Sequence, residues 1–412
     1  MSAPGREACL EMDRQDPLGA LRDEFWLDAS VIYLDGNSLG APSRAAHARV
    51  VQALGDEWGR GLIRSWDEAG WADAPARLGD RLGRILGAAP GEVAVTDSTT
   101  VNLYKLLVAA LEASPDRAVI LSEQGNFPTD LYIAEGIARL RPGVEVRLVE
   151  RDQIASALDG SVAVLLLSHV DYRLGRLHDM EALTGAAHRA GALALWDLSH
   201  SAGAVPVELD AWQADMAVGC TYKYLNGGPG SPALLYVAGR LQSRLRSPVN
   251  GWFGHAHPFR FDASYVPAPG IERWLAGTPP ILACAALEGA LEIWDHAGIE
   301  AAREKSLRLG DLMIELADAR LARWGVTVAS PRAGSERGSQ VSLAHPEAGP
   351  LMRALIERGV IGDVRPPNLM RFGFPALYTR FVDVHDAVDR LEEILNVGAH
   401  RQARFQVGGR VP

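Results

Sequence analysis

Short, unbroken apolar runs alternating with helix-patterned stretches occupy residues 90–240, and this alternation limits the fold more than any other feature of the chain. EVAVT (92–96) precedes TTVNLYKLLVAALEA, and AVILS (118–122) precedes TDLYIAEGIARL. EVRLVE (145–150) leads to DQIASAL, and VAVLLLS (162–168) to DMEALTGAAHRAG. ALALWDL (192–198), MAVGC (216–220) and ALLYV (233–237) complete the series. Strands that are apolar throughout, rather than on alternate residues, are buried on both faces, so the pattern predicts an α/β fold around a mostly parallel sheet covered by helices. In such sheets ligands lie beyond the carboxyl ends of the strands.

Past residue 285 the pattern changes. A long amphipathic helix is expected over roughly 283–323, followed by WGVTVAS, RGSQVSLAH, LMRALIERGV and LMRFGFPALY, which together predict a smaller α+β domain. The expected organisation is a large domain over 51–285 and a small C-terminal domain over 286–412. Residues 1–50, broken by Pro17 and Pro42, form an N-terminal segment packing on the small domain.

The net charge of −10 argues against nucleic acid or an anionic membrane as partner. The longest apolar stretch, VAVLLL, is strand-sized and too short to span a bilayer. Three scattered cysteines, Cys9, Cys220 and Cys284, lack metal spacing and fit a reducing compartment. The acidic, run-free N-terminus does not resemble a signal peptide, so a cytoplasmic enzyme without a metal is expected.

Only three of the 41 basic residues are lysine. Lys105 and Lys305 lie in stretches with helical apolar spacing, where a solvated helix-face charge is the simplest reading. Lys223, in CTYKYLNGGPGSP, lies where a strand end runs into a glycine-rich turn, and Asp197 ends the preceding apolar run. A strand-end carboxylate followed by a lysine on a later turn suits pyridoxal phosphate: the amine forms a Schiff base and the acid pairs with the pyridinium nitrogen. Ser98, Thr99 and Thr100 open a helix after a strand, which makes either an ordinary N-cap or a phosphate site. Phe127, before Asp130, either closes a turn or stacks on a planar ring. His200 is a structural histidine or a contact to the ring hydroxyl or substrate. Trp58, Trp66 and Trp71 are core residues by default, with walls of an aryl pocket as the alternative.

Along most of its length the chain resembles the kynureninases, in the class-V-aminotransferase-like branch of fold-type-I pyridoxal phosphate enzymes. The resemblance rests on YLDGNSLG (33–40), TVNL, NFPTD (126–130), WDLSHSAG (196–203), YKYLNGGPGS (222–231), GWFGH (251–255), GTPPI (277–281), RGSQVSL and RFGFPALY (371–378). It implies the PLP-dependent transferase fold (fold type I) and hydrolysis of L-kynurenine to anthranilate and L-alanine in tryptophan degradation, with 3-hydroxykynurenine as the other candidate substrate. It also implies that Lys223 carries the cofactor, Asp197 pairs with the ring nitrogen and Phe127 stacks on the ring. Thr99, Thr100, Asp130, Ser168, His200 and Tyr222 would line the cofactor site, with Tyr222 as a proton donor or relay and Arg371 on the substrate carboxylate. A homodimer with shared active sites is implied, in which Trp252 and Thr278 reach the partner's cofactor. A class V aminotransferase or a cysteine desulfurase is the alternative within the branch. The second needs a cysteine in the 325–345 region, and none is there.

Overall fold

The computed structural model describes residues 3–407. Seven strands form the central sheet: β1 (Val93–Thr96), β2 (Val119–Glu123), β3 (Glu145–Val149), β4 (Val162–Ser168), β5 (Leu193–Asp197), β6 (Met216–Gly219) and β7 (Ala233–Val237). Their order is β1-β7-β6-β5-β4-β2-β3, and all neighbours run parallel except those of β7. The α/β class expected from the alternation is therefore present, with one reversed strand. The glycine-rich turn after Lys223 returns the chain beside β6 without a crossover helix, and a strand that returns directly must run antiparallel.

Apolarity explains the burial. All seven residues of β4 are buried, whereas β3, at the sheet edge, has only exposed and half-buried positions. Trp196 on β5 is fully buried, and its indole donates to Thr184 Oγ1 at 3.0 Å. That bond ties α4 (Met180–Arg189) to the sheet, which α2 (Thr99–Ala113) and α3 (Pro128–Leu140) also cover, whereas α1 (Arg6–Arg14) packs against the C-terminal helix Phe381–Val397.

The single helix expected over 283–323 is divided. It is α5 (Ile281–Ala290), a 3-10 turn (Leu291–Asp295) and α6 (Ile299–Arg320), because Gly298 takes an extended conformation and starts a new helix. DQIASAL likewise yields only a 3-10 turn at Arg151–Gln153 rather than a crossover helix.

A second, antiparallel sheet contains β8 (Thr327–Val328), β9 (Gln340–Ala344), β10 (Asp363–Arg365) and β11 (Leu369–Gly373), in the order β10-β11-β9-β8. With α6, α7 (Ala348–Glu357) and α8 (Phe381–Val397) it encloses a separate core around Met313, Leu343, Phe372 and Leu391. The N-terminal residues are divided between the cores: Cys9, Ile32 and Leu34 join the second, while Leu18, Phe25 and Ala41 join the first. Asp13 accepts from Phe381 N (2.6 Å) and Val382 N (3.1 Å), satisfying free donors at the start of α8.

Two lysines expected in solvent are buried. Lys305 meets Asp16 Oδ2 at 2.6 Å, and Lys105 is 0% exposed and paired with Asp97. An interior ammonium is tolerated only when paired. Among the described residues no helix is long and apolar enough to cross a membrane.

The contrast between centre and edge gives a test. Leu166→Ala on β4 should cost about 2–5 kcal/mol in chemical unfolding, because a fully buried side chain leaves a cavity. Leu148→Ala on β3, an exposed position, should change stability by about 0.5 kcal/mol or less.

Candidate active site at the carboxyl edge of the sheet

Five strand ends converge on one cavity of about 240 Å³. The turn after β1 contributes Thr99 and Thr100, the first residues of α2, and the turn after β2 contributes Phe127 and Asp130. Ser168 ends β4, Asp197 ends β5, and His200, Tyr222 and Lys223 follow β5 and β6. Parallel pairing of β4 with β5 sets Ser168 directly opposite Asp197. The cavity is also lined by Thr129, Val170, Tyr172 and Ser199, which the sequence reading missed. Their signal was position, since each lies within one to four residues of a predicted site residue, beyond a strand end. Tyr172 meets Phe127 edge-on at 5.1 Å and thereby fixes the ring.

The local structure follows from ordinary devices. Ser98 is an N-cap, its Oγ accepting from Val101 N at 3.3 Å, while the next two residues face the cavity. Asn126 Oδ1 accepts from Phe127 N (2.8 Å), Ser168 N (3.1 Å) and Ser168 Oγ (2.6 Å), locking the loops after β2 and β4 together. The lysine turn is held from the N-terminal segment. Gly40 N donates to Tyr222 O at 2.7 Å, and Asn226 Nδ2 donates to Ala41 O at 3.0 Å. A Cβ on Gly40 would lie 2.2 Å from Lys223 O, so only glycine allows this approach.

The charges are unusual for a protein interior. Burial raises the Asp197 carboxyl above the ordinary aspartate range, although Ser199 N donates to it at 2.7 Å. Burial, and then the nearby Asp197, raise Asp130 well above that range, and Asp130 Oδ1 has no hydrogen-bond partner. His200 is pushed well below the usual histidine value, first by burial, then by the positive charges of Lys223, Arg371 and Arg365. It is thus neutral, and its Nε2 accepts from Lys223 Nζ at 2.9 Å while its Nδ1 is unpartnered. The cavity presents a helix N-terminus at one place and two buried carboxylates at another. That donor set suits a ligand with an anionic group and a cationic ring atom.

Three predicted residues do not line this cavity. Trp252 lies on a 3-10 turn and is 38% exposed, and Thr278 is also exposed. Arg371 is fully buried on β11, with its Nε donating to Asp363 Oδ1 at 2.8 Å, a second contact from Nη2 to the same carboxylate, and Nη2 to Ser38 Oγ at 2.8 Å. The two-pronged grip expected toward a substrate carboxylate is here taken by Asp363. Trp66 packs edge-on against Trp71 (5.9 Å) and near Phe253 (5.9 Å), whereas Trp58 is exposed rather than core.

Residues 302–391 match the model of the kynureninase C-terminal domain. A kynureninase from Burkholderia pseudomallei (strain 1106a) is 52% identical over 406 residues, covering 97% of this chain and 98% of the relative. One from Pseudomonas fluorescens is 52% identical over 408 residues, covering 98% of each. The chain belongs to the kynureninase family. Solved structures share the fold at lower identity. A cysteine desulfurase from Thermococcus onnurineus NA1 has a TM-score of 0.77 at 18% identity, covering 92% of this chain and 98% of its own. One from Escherichia coli has a TM-score of 0.76 at 17% identity, with the same coverage. These neighbours place this kynureninase-family chain in the same fold as those enzymes, and at that identity they speak to fold alone.

The raised carboxyls give a signed prediction. A folded-state pKa above the unfolded value of about 3.9 contributes stability that is full below that value and lost as pH rises through the folded value. Asp130→Asn should therefore raise the melting temperature of the ligand-free protein at pH 8, and the gain should shrink toward pH 4. Thermal unfolding across that range checks it; a gain independent of pH would contradict it.

Proposed function

We infer that this chain is a pyridoxal phosphate-dependent hydrolase that cleaves the Cβ–Cγ bond of L-kynurenine, consuming water and releasing anthranilate and L-alanine. The observation that carries this reading is near-full-length identity of 52% to kynureninases in a chain whose Lys223, Asp197 and α2 N-terminus share one cavity. The cavity fits the cofactor on its own terms. The orphaned Asp130 Oδ1 and His200 Nδ1 both await polar partners, and the unneutralised Asp197 awaits a cation. Bound through Lys223, pyridoxal phosphate supplies an electron sink conjugated to the substrate's Cα.

The chain's own residues do the rest. Thr99 and Thr100 hold the phosphate at the start of α2, where free N–H groups and the helix dipole favour an anion. Phe127, held edge-on by Tyr172, would cover a face of the ring. Asp197 would keep the ring nitrogen protonated, with Ser168 and Asp130 beside it in the cavity. The Lys223 amine would take the Cα proton, and neutral His200 accepts a hydrogen bond from that amine without competing for charge. Tyr222 stays protonated, its phenol raised first by Cys220 and then by burial, and so holds a proton to deliver at the β-carbon. Arg371 supplies positive charge for the substrate carboxylate, and Asp363 and Ser38 set the plane of its guanidinium.

The protein acts as a cytoplasmic homodimer in which Trp252 and Thr278 serve the partner's site. Support comes from the exposed aromatic group of Trp252, Phe259 and Phe261, which a free monomer would leave in water. Desulfuration is disfavoured by the thiols. All three are buried, with burial pushing Cys284 up to about 12 and Cys9 to about 11, and raising Cys220 as well.

The test is to mix cofactor-loaded protein with L-kynurenine and no keto acid. Anthranilate and alanine should appear in equal amounts, and Lys223→Ala should abolish both. Tyr222→Phe should lower kcat by about 10²-fold or more with the cofactor still bound, the scale of a lost general acid. Full kcat in that variant would remove Tyr222 from proton transfer. A cofactor spectral change without anthranilate would move the substrate to 3-hydroxykynurenine or the reaction to transamination.

A further inference from the structure

Lys105 lies two turns into α2, and it is the most deeply buried of the three lysines. Burial of an ammonium with no role costs several kcal/mol, so its partners bear on why it is there. Its Nζ contacts Asp97 Oδ2 and donates to Trp274 O at 2.6 Å. Asp97 is the residue between β1 and the N-cap of α2, and it holds a left-handed backbone with φ 45°. A non-glycine residue pays for that conformation and keeps it only where its surroundings hold it. Three groups do so here: Ala233 N donates to Asp97 O at 3.0 Å, Thr96 Oγ1 donates to Asp97 Oδ2 at 3.0 Å, and Lys105 meets the same oxygen.

The position of this residue is the point. Asp97 turns the chain from β1 into Ser98, Thr99 and Thr100, so its backbone angle aims the first N–H groups of α2 and the two cavity threonines. Helical side chains lean toward the helix N-terminus, which is how Lys105 reaches back to Asp97. Its second contact anchors the turn to the carbonyl of Trp274, itself fully buried at the end of a 3-10 turn (Ile271–Trp274). Lys105 thus clamps the threonine turn between its own helix and a segment far along the chain.

We propose that Lys105 is a positioning residue for the phosphate end of the cofactor, acting through the Asp97 turn rather than by contact with the ligand. The proposal rests on the pyridoxal phosphate reading above. It predicts a defect confined to the phosphate, which a residue of merely structural importance would not produce.

Pyridoxal and pyridoxal phosphate would form the same Schiff base with Lys223 and differ at the 5′ position; pyridoxal's own closure to a hemiacetal is common to every variant, so the change in their affinity ratio between variants isolates the phosphate. Apo-protein is titrated with each ligand, followed by absorbance of the bound form, in wild type, Lys105→Met and Asp97→Asn. Asp97 is only partly buried, so Asp97→Asn keeps the shape of the turn and carries the test even where Lys105→Met folds poorly. Both variants should weaken pyridoxal phosphate at least tenfold and leave pyridoxal within twofold. The double variant should be no worse than the more affected single one, since the two residues act as a pair. Equal weakening of both ligands, or an unchanged ratio, would overturn the proposal while leaving the cofactor reading intact. A wild-type protein that binds neither ligand would overturn the cofactor reading and this inference with it.

Discussion

Two buried carboxylates and one lysine at the carboxyl edge of a parallel sheet set the terms for everything around them. Asp130 and Asp197 lie close enough for the charge of one to act on the other, in a place where burial already disfavours ionisation. Keeping ions in such a place costs several kcal/mol apiece unless a partner compensates. The protein supplies part of the compensation through Ser199 N, Ser168 and Lys223, and leaves the remainder to a bound cation. His200 shows the same logic in reverse: held neutral, it receives a hydrogen bond from the lysine and adds no positive charge. Stability and ligand binding are thus linked, because the groups whose burial is least compensated are those that a ligand would satisfy.

The rest of the architecture keeps that edge in register. Asn126 joins two loops through one carbonyl oxygen, and Gly40 lets the N-terminal segment brace the Lys223 turn. That segment also threads both cores, with Leu34 in the smaller and Ala41 in the larger. The small sheet contributes Arg371, buried and held by Asp363, and its charge is felt at His200. Motion of one core against the other would therefore alter the charge at the lysine through this shared segment and this arginine.

What the sequence revealed, and what it hid, divides along physical lines. Buried strands announce themselves as unbroken apolar runs, so VAVLLLS and ALALWDL were legible, and nine of the site residues lie beyond strand ends as such sheets require, although Asp130, Ser168 and Tyr222 were reached only through the family resemblance. The direction of β7 was not read, because side-chain pattern is the same for a strand run either way; its signal lay in the glycine-rich link from β6, which leaves no room for a crossover helix. The break at Gly298 was missed because helical periodicity continues on both sides of it. Lys105 was misread since its second partner, Trp274, is distant in sequence, and a buried pair looks like a surface charge until the fold joins it. Trp252 and Thr278 fall outside their own chain's cavity, and no reading of one chain alone assigns them a place.

The scarcity of lysine has a practical side. Lys105 and Lys305 are sealed inside ion pairs, and only Lys223 opens onto a cavity. In the cofactor-free protein a small amine-directed reagent would therefore meet a single accessible side-chain amine, the one lining the cavity, and a cofactor bound there would mask it. Coupling through lysine amines, routine for most enzymes, would here report on that cavity rather than on the protein's surface.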